Sequence, residues 1–431
     1  MIRVTALFCC LALAFLAVSC GRETPVRKPP AKSGEKNSGK DDTRKSGSGG
    51  ESKAKVDTTP IKDSSQGESE SARLADRAID IDFAVKGLTA KVVVEGLKNP
   101  HGLAFHPKTD ALTVCDSGNG RVLIVDDGKL VEFATGFGTE TSGGKGDMAA
   151  GENEYLIGPL SICWENFGRV PRLAVLDSGA PAGGEAVVFF EGPGPRYGTG
   201  DPTMPWRDPS GSGLDMDGNF TGLCLSVAHV YYFLSTTNDA QTRLMCLDTR
   251  DQQIRPWISS DEAGIKTNTP VQLRLVNHEL RGLYMGEEGK SDGLMVFWME
   301  TNPDPEESWK LKGLVDPVGF DQFPELDREL APGRGDIEPA DGEVPGDAAA
   351  PEMERFVRRF VVVARGKSRG KGILARVTLN KGTEANIEPL AEGLPDPTHC
   401  AFGPDGKLYI SCMGSERDKD KGIVIAVEGI K

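Results

Sequence analysis

A three-part unit returns six times along this chain, at a spacing of about 50–60 residues. Repeats of that length build solenoids or propellers, because one unit cannot bury its apolar face alone. Each unit opens with a turn signal and a short apolar strand. The openings are Asn99-Pro100-His101-Gly102-Leu103, Gly158-Pro159-Leu160-Ser161-Ile162, Asn219-Phe220-Thr221-Gly222-Leu223, Thr269-Pro270-Val271-Gln272-Leu273, Asp316-Pro317-Val318-Gly319-Phe320 and Asp396-Pro397-Thr398-His399-Cys400.

Two further strands follow each opening. The second are Leu112–Asp116, Leu173–Asp177, Tyr231–Ser235, Leu283–Glu287, Val361–Arg365 and Leu408–Cys412. The third are Arg121–Val125, Ala186–Phe190, Arg243–Leu247, Gly293–Phe297, Ile373–Val377 and Ile423–Val427. Gly, Asp, Asn or Ser separates most neighbours, as antiparallel turns require, and β-branched and aromatic residues fill the strands. Lys129–Ala134, Gln253–Ile258, Trp309–Val315 and Asn386–Ala391 are candidate fourth strands. The sixth unit ends too soon to have one. Lys91–Leu97 precedes Pro100 much as Glu388–Leu394 precedes Pro397, so an amino-terminal strand is expected to complete the last unit. The expected fold is all-β: a six-bladed β-propeller of four-stranded blades over residues 78–431, closed by its own N-terminal strand. Closure removes sheet edges that would otherwise invite aggregation. Two insertions interrupt the pattern: Glu191–Gly218, which contains Tyr197 and Trp206, and the acidic, Pro-rich Phe323–Met353.

The first unit carries Pro100-His101-Gly102-Leu103-Ala104-Phe105, then Val114-Cys115-Asp116-Ser117-Gly118-Asn119-Gly120-Arg121-Val122. This resembles an NHL repeat, whose pattern is Pro-x-Gly-Ile-Ala followed by a Val-x-Asp-x-x-Asn-x-Arg-Ile hairpin. The sixth unit keeps the anchor and the Pro404-Asp405-Gly406 turn but has Cys412 where Asp116 stands. The whole is similar to the wider group of six-bladed propellers, TolB-like and SMP-30-like. That group includes lactonase-type and quinoprotein sugar dehydrogenase-type enzymes as well as binding modules, so fold alone chooses no activity.

The chain starts with Arg3, an apolar run from Ala6 to Val18, and then Ser19-Cys20-Gly21. A basic head, a short greasy run and small residues make a secretory signal, and the ending in one cysteine resembles a bacterial lipoprotein signal. That resemblance implies cleavage after residue 19, lipidation of Cys20 and an extracytoplasmic, membrane-anchored protein facing the periplasm or the cell surface. Residues 20–77 are rich in Lys, Ser, Gly, Glu and Pro and lack aromatics through Ala75. Such a segment cannot offset its ordering entropy by burial, so a disordered linker is expected there. The chain carries a net charge of −14 although this linker is slightly basic, so the acidity belongs to the folded body. That argues against nucleic acid as a partner and leaves the membrane, an envelope protein or a glycan.

First strands line the channel of a propeller, so residues just after the anchors (His101, Ser161, Thr221, Gln272 and His399) are expected to gather at one mouth. Alignment of the second strands places Asp116, Asp177, Ser235, Glu287, Arg365 and Cys412 in another ring. His101, Asp116, Asp177, Glu287, Arg365 and His399 are therefore the candidate ligand or metal residues, and a divalent cation such as calcium is the cofactor their oxygens would suit. For Asp116 and Asp177, each followed by Ser-Gly, the competing role is to accept hydrogen bonds from the following turn. Asp215-Met216-Asp217-Gly218-Asn219 echoes the start of a calcium loop but lacks the later Glu. Six cysteines remain beyond Cys20, none in a C-x-x-C pair; Cys224 with Cys246 and Cys400 with Cys412 could pair or be buried as small apolar groups. No phosphate loop or H-E-x-x-H is present. The function expected is a binding or interaction module for protein, glycan or small ligand; the alternative is a metal- or quinone-dependent lactonase or sugar dehydrogenase-type enzyme.

Overall fold

In each unit the second strand is apolar on both sides, as in Leu173-Ala174-Val175-Leu176 and Phe360-Val361-Val362-Val363. A strand of that kind belongs to a sheet covered on both faces. The computed structural model shows what covers them. It describes residues 72–430 apart from 127, 142–155, 167–169, 180–185, 192–203, 208–217, 227–229, 238–241, 251–252, 260–268, 277–278, 286–291, 300–306, 324–357, 367, 369, 380–383 and 415–419.

Three strands precede the first repeat: β1 (Arg73–Ala78), β2 (Asp82–Phe83) and β3 (Thr89–Leu97). Blade 1 is β4 (Pro100–Phe105), β5 (Leu112–Asp116), β6 (Arg121–Asp126) and β7 (Lys129–Thr135). A short pair, β8 (Glu140–Thr141) and β9 (Leu156–Ile157), stands before blade 2, which is β10 (Pro159–Glu165), β11 (Arg172–Asp177), β12 (Ala186–Glu191) and β13 (Met204–Arg207). Blade 3 is β14 (Gly218–Leu225), β15 (Val230–Thr237), β16 (Thr242–Asp248) and β17 (Gln253–Ser259). Blade 4 is β18 (Thr269–Val276), β19 (Glu279–Met285), β20 (Gly293–Met299) and β21 (Glu307–Leu311). Blade 5 is β22 (Pro317–Gln322), β23 (Arg358–Ala364), β24 (Gly372–Leu379) and β25 (Ala385–Leu394), with β2 added at its edge. Blade 6 is β26 (Pro397–Phe402), β27 (Leu408–Cys412) and β28 (Gly422–Glu428), followed by β3 and then β1.

Every strand pair within a blade is antiparallel. The N-terminal strand closes the last blade as expected, with Val94 opposite Val424 and Val92 opposite Ile425. Two details differ from the sequence reading. Blades 5 and 6 have five strands rather than four, because β2 pairs Phe83 with Ala391 and β1 pairs Arg77 with Val92. The folded body therefore reaches back to Arg73, inside the segment read as linker. The Glu191–Gly218 insertion also holds β13, the outer strand of blade 2.

Six apolar clusters account for the burial, one at each junction of consecutive blades. Cys115, Val122 and Phe133 meet Leu173 and Val175 between blades 1 and 2, while Ala174, Leu176 and Phe189 meet Tyr231 and Phe233 between blades 2 and 3. Tyr232 and Leu234 then turn to Leu273 and Tyr284 of blade 4. Phe297 and Trp309 meet Phe320 and Phe360, and Val361 and Val363 meet Leu408 and Ile410. Val94, Leu97 and Val424 meet Leu103 and Val114, which closes the ring from blade 6 to blade 1. Successive residues of one strand thus serve successive junctions, the two-residue period of a β-strand. A fully buried side chain of this size contributes roughly 1.5–3 kcal/mol.

Candidate functional site

Proline just before a strand removes one ladder donor and restricts its neighbour. In blades 1, 5 and 6 that neighbour is Asn99, Asp316 or Asp396, each with a left-handed φ of 45–60° that Asn and Asp tolerate best. Directly after the anchor the ladder register breaks in all six first strands. The breaks fall between Pro100 and Leu103, Pro159 and Ser161, Thr221 and Cys224, Pro270 and Gln272, Pro317 and Gly319, and Pro397 and His399. A bulge leaves a residue unpaired and re-aims its side chain. The residues at these breaks converge: His101, Leu160, Thr221 with Gly222, Val271, Val318 and Thr398 line one cavity, joined by Ser161, Arg365 and His399. Its volume is about 500 Å³, a figure that includes the part open to solvent.

The residue after each bulge ties blades together. Ser161 Oγ accepts from the Leu223 amide of blade 3 at 3.0 Å, and Gln272 Oε1 accepts from the Phe320 amide of blade 5 at 2.7 Å. In the alternate blades this residue is glycine, since the backbones approach too closely for a side chain. A Cβ on Gly102 would lie 2.9 Å from Leu160 O, and one on Gly319 2.9 Å from Cys400 N. His399 occupies the position in blade 6 but makes no such tie, and its Nδ1 is buried without a hydrogen-bond partner. Thr398 Oγ1 donates to Pro100 O at 2.6 Å and Ser411 Oγ donates to His101 O at 2.6 Å, so other hydroxyls hold blade 6 to blade 1.

The electrostatics around His399 are cationic. Burial pushes its pKa well below the usual histidine value, and the Arg274 and His101 charges push in the same direction. Arg274 donates to Cys400 O at 3.4 Å and faces Asp321 Oδ2 at 3.4 Å; that carboxylate also accepts from the Phe402 amide at 2.7 Å.

Of the six candidates, His101, Arg365 and His399 line the cavity. Asp116 serves its own hairpin: it accepts from the Lys98 amide at 2.6 Å, Asn119 Nδ2 at 2.9 Å and Arg121 Nε at 2.7 Å. Burial pushes its carboxyl pKa up, and these donors pull against that shift. The Asp-x-x-Asn-x-Arg spacing of the first unit is thereby a self-contained hydrogen-bond circuit. Asp177 ends β11 opposite Pro159 and Ala186, outside the cavity lining. Glu287, Cys20 and the Asp215–Asp217 segment lie outside the described residues, as does the Ser235 side chain. Among the described residues no three His, Cys, Asp or Glu side chains group to hold a metal ion. Gln272 is turned to Phe320 instead of the cavity. No disulfide joins the six cysteines among the described residues; Cys115, Cys224, Cys400 and Cys412 are buried in apolar clusters. The sequence reading missed Leu160, Val271, Val318 and Thr398. Their common position, next after the anchoring proline, is the signal that finds them.

No protein-family model matches the sequence, and no curated protein does. Solved structures similar to it include a protein of Thermus thermophilus assigned as a glucose dehydrogenase, 17% identical over 79% of this chain and 100% of its own, with a TM-score of 0.48. A gluconolactonase of Xanthomonas campestris is 10% identical over 82% of this chain and 97% of its own, with a TM-score of 0.48. Regucalcin of Agrobacterium tumefaciens, a calcium-binding protein, is 10% identical over 78% and 92%, with a TM-score of 0.44. At such identities no chemistry transfers, and the six-bladed architecture rests on the sheet order and the six junctions.

Proposed function

We propose that this chain is an extracytoplasmic propeller, anchored to a membrane through a lipid on Cys20, that binds a small ligand in its channel mouth. The observation that carries the reading is the set of six bulges, which turn one residue from every blade toward a common cavity. Pockets that orient small ligands combine an apolar lining with a few placed polar groups. Here Leu160, Val271 and Val318 supply the first, and His101, Arg365 and His399 the second. Two carboxylates of the blades, Asp116 and Asp321, are engaged in bonds within and between blades. That supports a binding role over carboxylate-driven chemistry.

The test is a fragment screen of the full chain by ligand-observed NMR, repeated on Val271→Phe. Val271 lines the cavity, is only half-buried and also packs at the edge of the cluster between blades 5 and 6, so an unchanged circular dichroism spectrum is the control that the larger ring fills the cavity and leaves that junction intact. Hits that vanish in the variant, with the circular dichroism spectrum kept, are the expected result. Hits that persist would place the ligand elsewhere and overturn the reading.

A further inference from the structure

The ionisable residues of the cavity come from three adjacent blades: Arg365 follows β23 of blade 5, His399 begins blade 6, and His101 begins blade 1. The hydroxyl residues Ser161, Thr221 and Thr398 stand in blades 2, 3 and 6, with the Ser161 hydroxyl bonded to the Leu223 amide. Leu160, Val271 and Val318 from blades 2, 4 and 5 supply the aliphatic surface. Among the described residues no carboxylate lines it, and Arg365 is the one lining residue that carries a permanent charge.

His399 is the second observation. It is 9% exposed, lines the cavity, and its Nδ1 meets no hydrogen-bond partner. Buried polar atoms are nearly always satisfied, and an exception calls for a reason. The reason is not inter-blade structure. The equivalent residues of blades 2 and 4 bond the next blade, whereas around His399 that work falls to Thr398 and Ser411. The imidazole is thus released from the role its position has elsewhere and stands at a cavity that Arg365 also lines.

We infer that the cavity binds a short aliphatic carboxylate, its charged end between Arg365, His399 and His101 and its hydrocarbon end against Leu160, Val271 and Val318. This rests on the channel-ligand reading above and adds the charge and shape of the ligand. A planar guanidinium matches a carboxylate in a paired geometry that neither a hydroxyl nor an ammonium group reproduces. Arg274, whose charge acts on His399, already faces Asp321, so the groups that would meet the anion are Arg365 and the two histidines lining the cavity. The aliphatic arc argues against inorganic phosphate or sulfate, which offer nothing to bury there.

The probes are butyrate and butyramide, alike in shape and different in charge, titrated calorimetrically into the full chain. Butyrate is expected to bind one to one and butyramide at least about tenfold more weakly. Arg365→Gln should weaken butyrate by a similar factor while leaving butyramide unchanged, and His399→Gln, which keeps an amide donor, should weaken it less. Equal binding of the two probes, butyrate binding indifferent to Arg365→Gln, or failure of butyrate to bind would each overturn the inference. The channel reading is judged separately: equal binding of both probes that Val271→Phe abolishes would keep the site and discard its charge preference.

Discussion

Asp116 and His399 show how one residue is assigned by its surroundings. Asp116 has three local donors within 2.9 Å, so its carboxylate is spent on a hairpin. His399 has none at Nδ1 and stands among cations. Its depressed pKa has a consequence for stability. In the unfolded chain the imidazole titrates near the ordinary 6.5, while in the folded chain it stays neutral to lower pH. The unfolded state then binds more protons between those two values. The contribution is fully present above about pH 6.5 and is lost as pH falls below it, by at most about 1.4 kcal/mol per pH unit. The charged and titratable groups facing it are Arg274 from β18, His101 from β4, Arg365 after β23, and Asp321 from β22, which pairs with Arg274. His106, also depressed by burial, acts in the same direction. Urea titrations at about pH 7.5 and 5.5 should show that His399→Gln loses less stability on acidification than the parent chain. Parallel losses would refute the assignment.

At the scale of elements, the amino-terminal strands join the last two blades. β3 is the fourth strand of blade 6, and its Val92, Val94 and Leu97 are fully buried in the clusters on both sides of that blade. β1 and β2 sit at sheet edges, and β1 is largely exposed. A chain shortened to start at Leu88 should keep its β-sheet circular dichroism and remain soluble. A chain shortened to start at Lys98 should not, because the outer edge of β28 is bared and two clusters lose their closing residues. Equal folding of the two would show that closure does not depend on β3. Elements were legible where apolar runs were long. Short ones were not: β13 carries Pro205 and spans only Met204–Arg207, too little pattern to separate from a loop. In unit 4 the aligned strand ran to Glu287, whereas β19 spans Glu279–Met285, since local pattern does not set where a hairpin turns.

For the whole molecule, the proposed tether and the folded body make separable contributions. The lipid would confine the protein to a membrane while the propeller folds around its own closure. Cys20→Ser should therefore release the protein into the soluble fraction after membrane sedimentation and abolish palmitate labelling, while the melting temperature of the folded body stays the same. Retention of the variant in the membrane pellet would overturn lipidation at this residue.

Blade number, strand order and ring closure were readable from the chain because each depends on a local pattern repeated along it: an anchor, two apolar strands, and a duplicated segment at the start that supplies what the end lacks. The cavity was decided in three dimensions. A one-residue bulge turns His101, Leu160 and Val271 toward the axis, and hydrogen bonds between blades remove Gln272 from it and leave His399 at it. These choices depend on which donor from a neighbouring blade reaches which acceptor, and residues hundreds of positions apart, such as Pro100 and Thr398, meet only once the ring has closed.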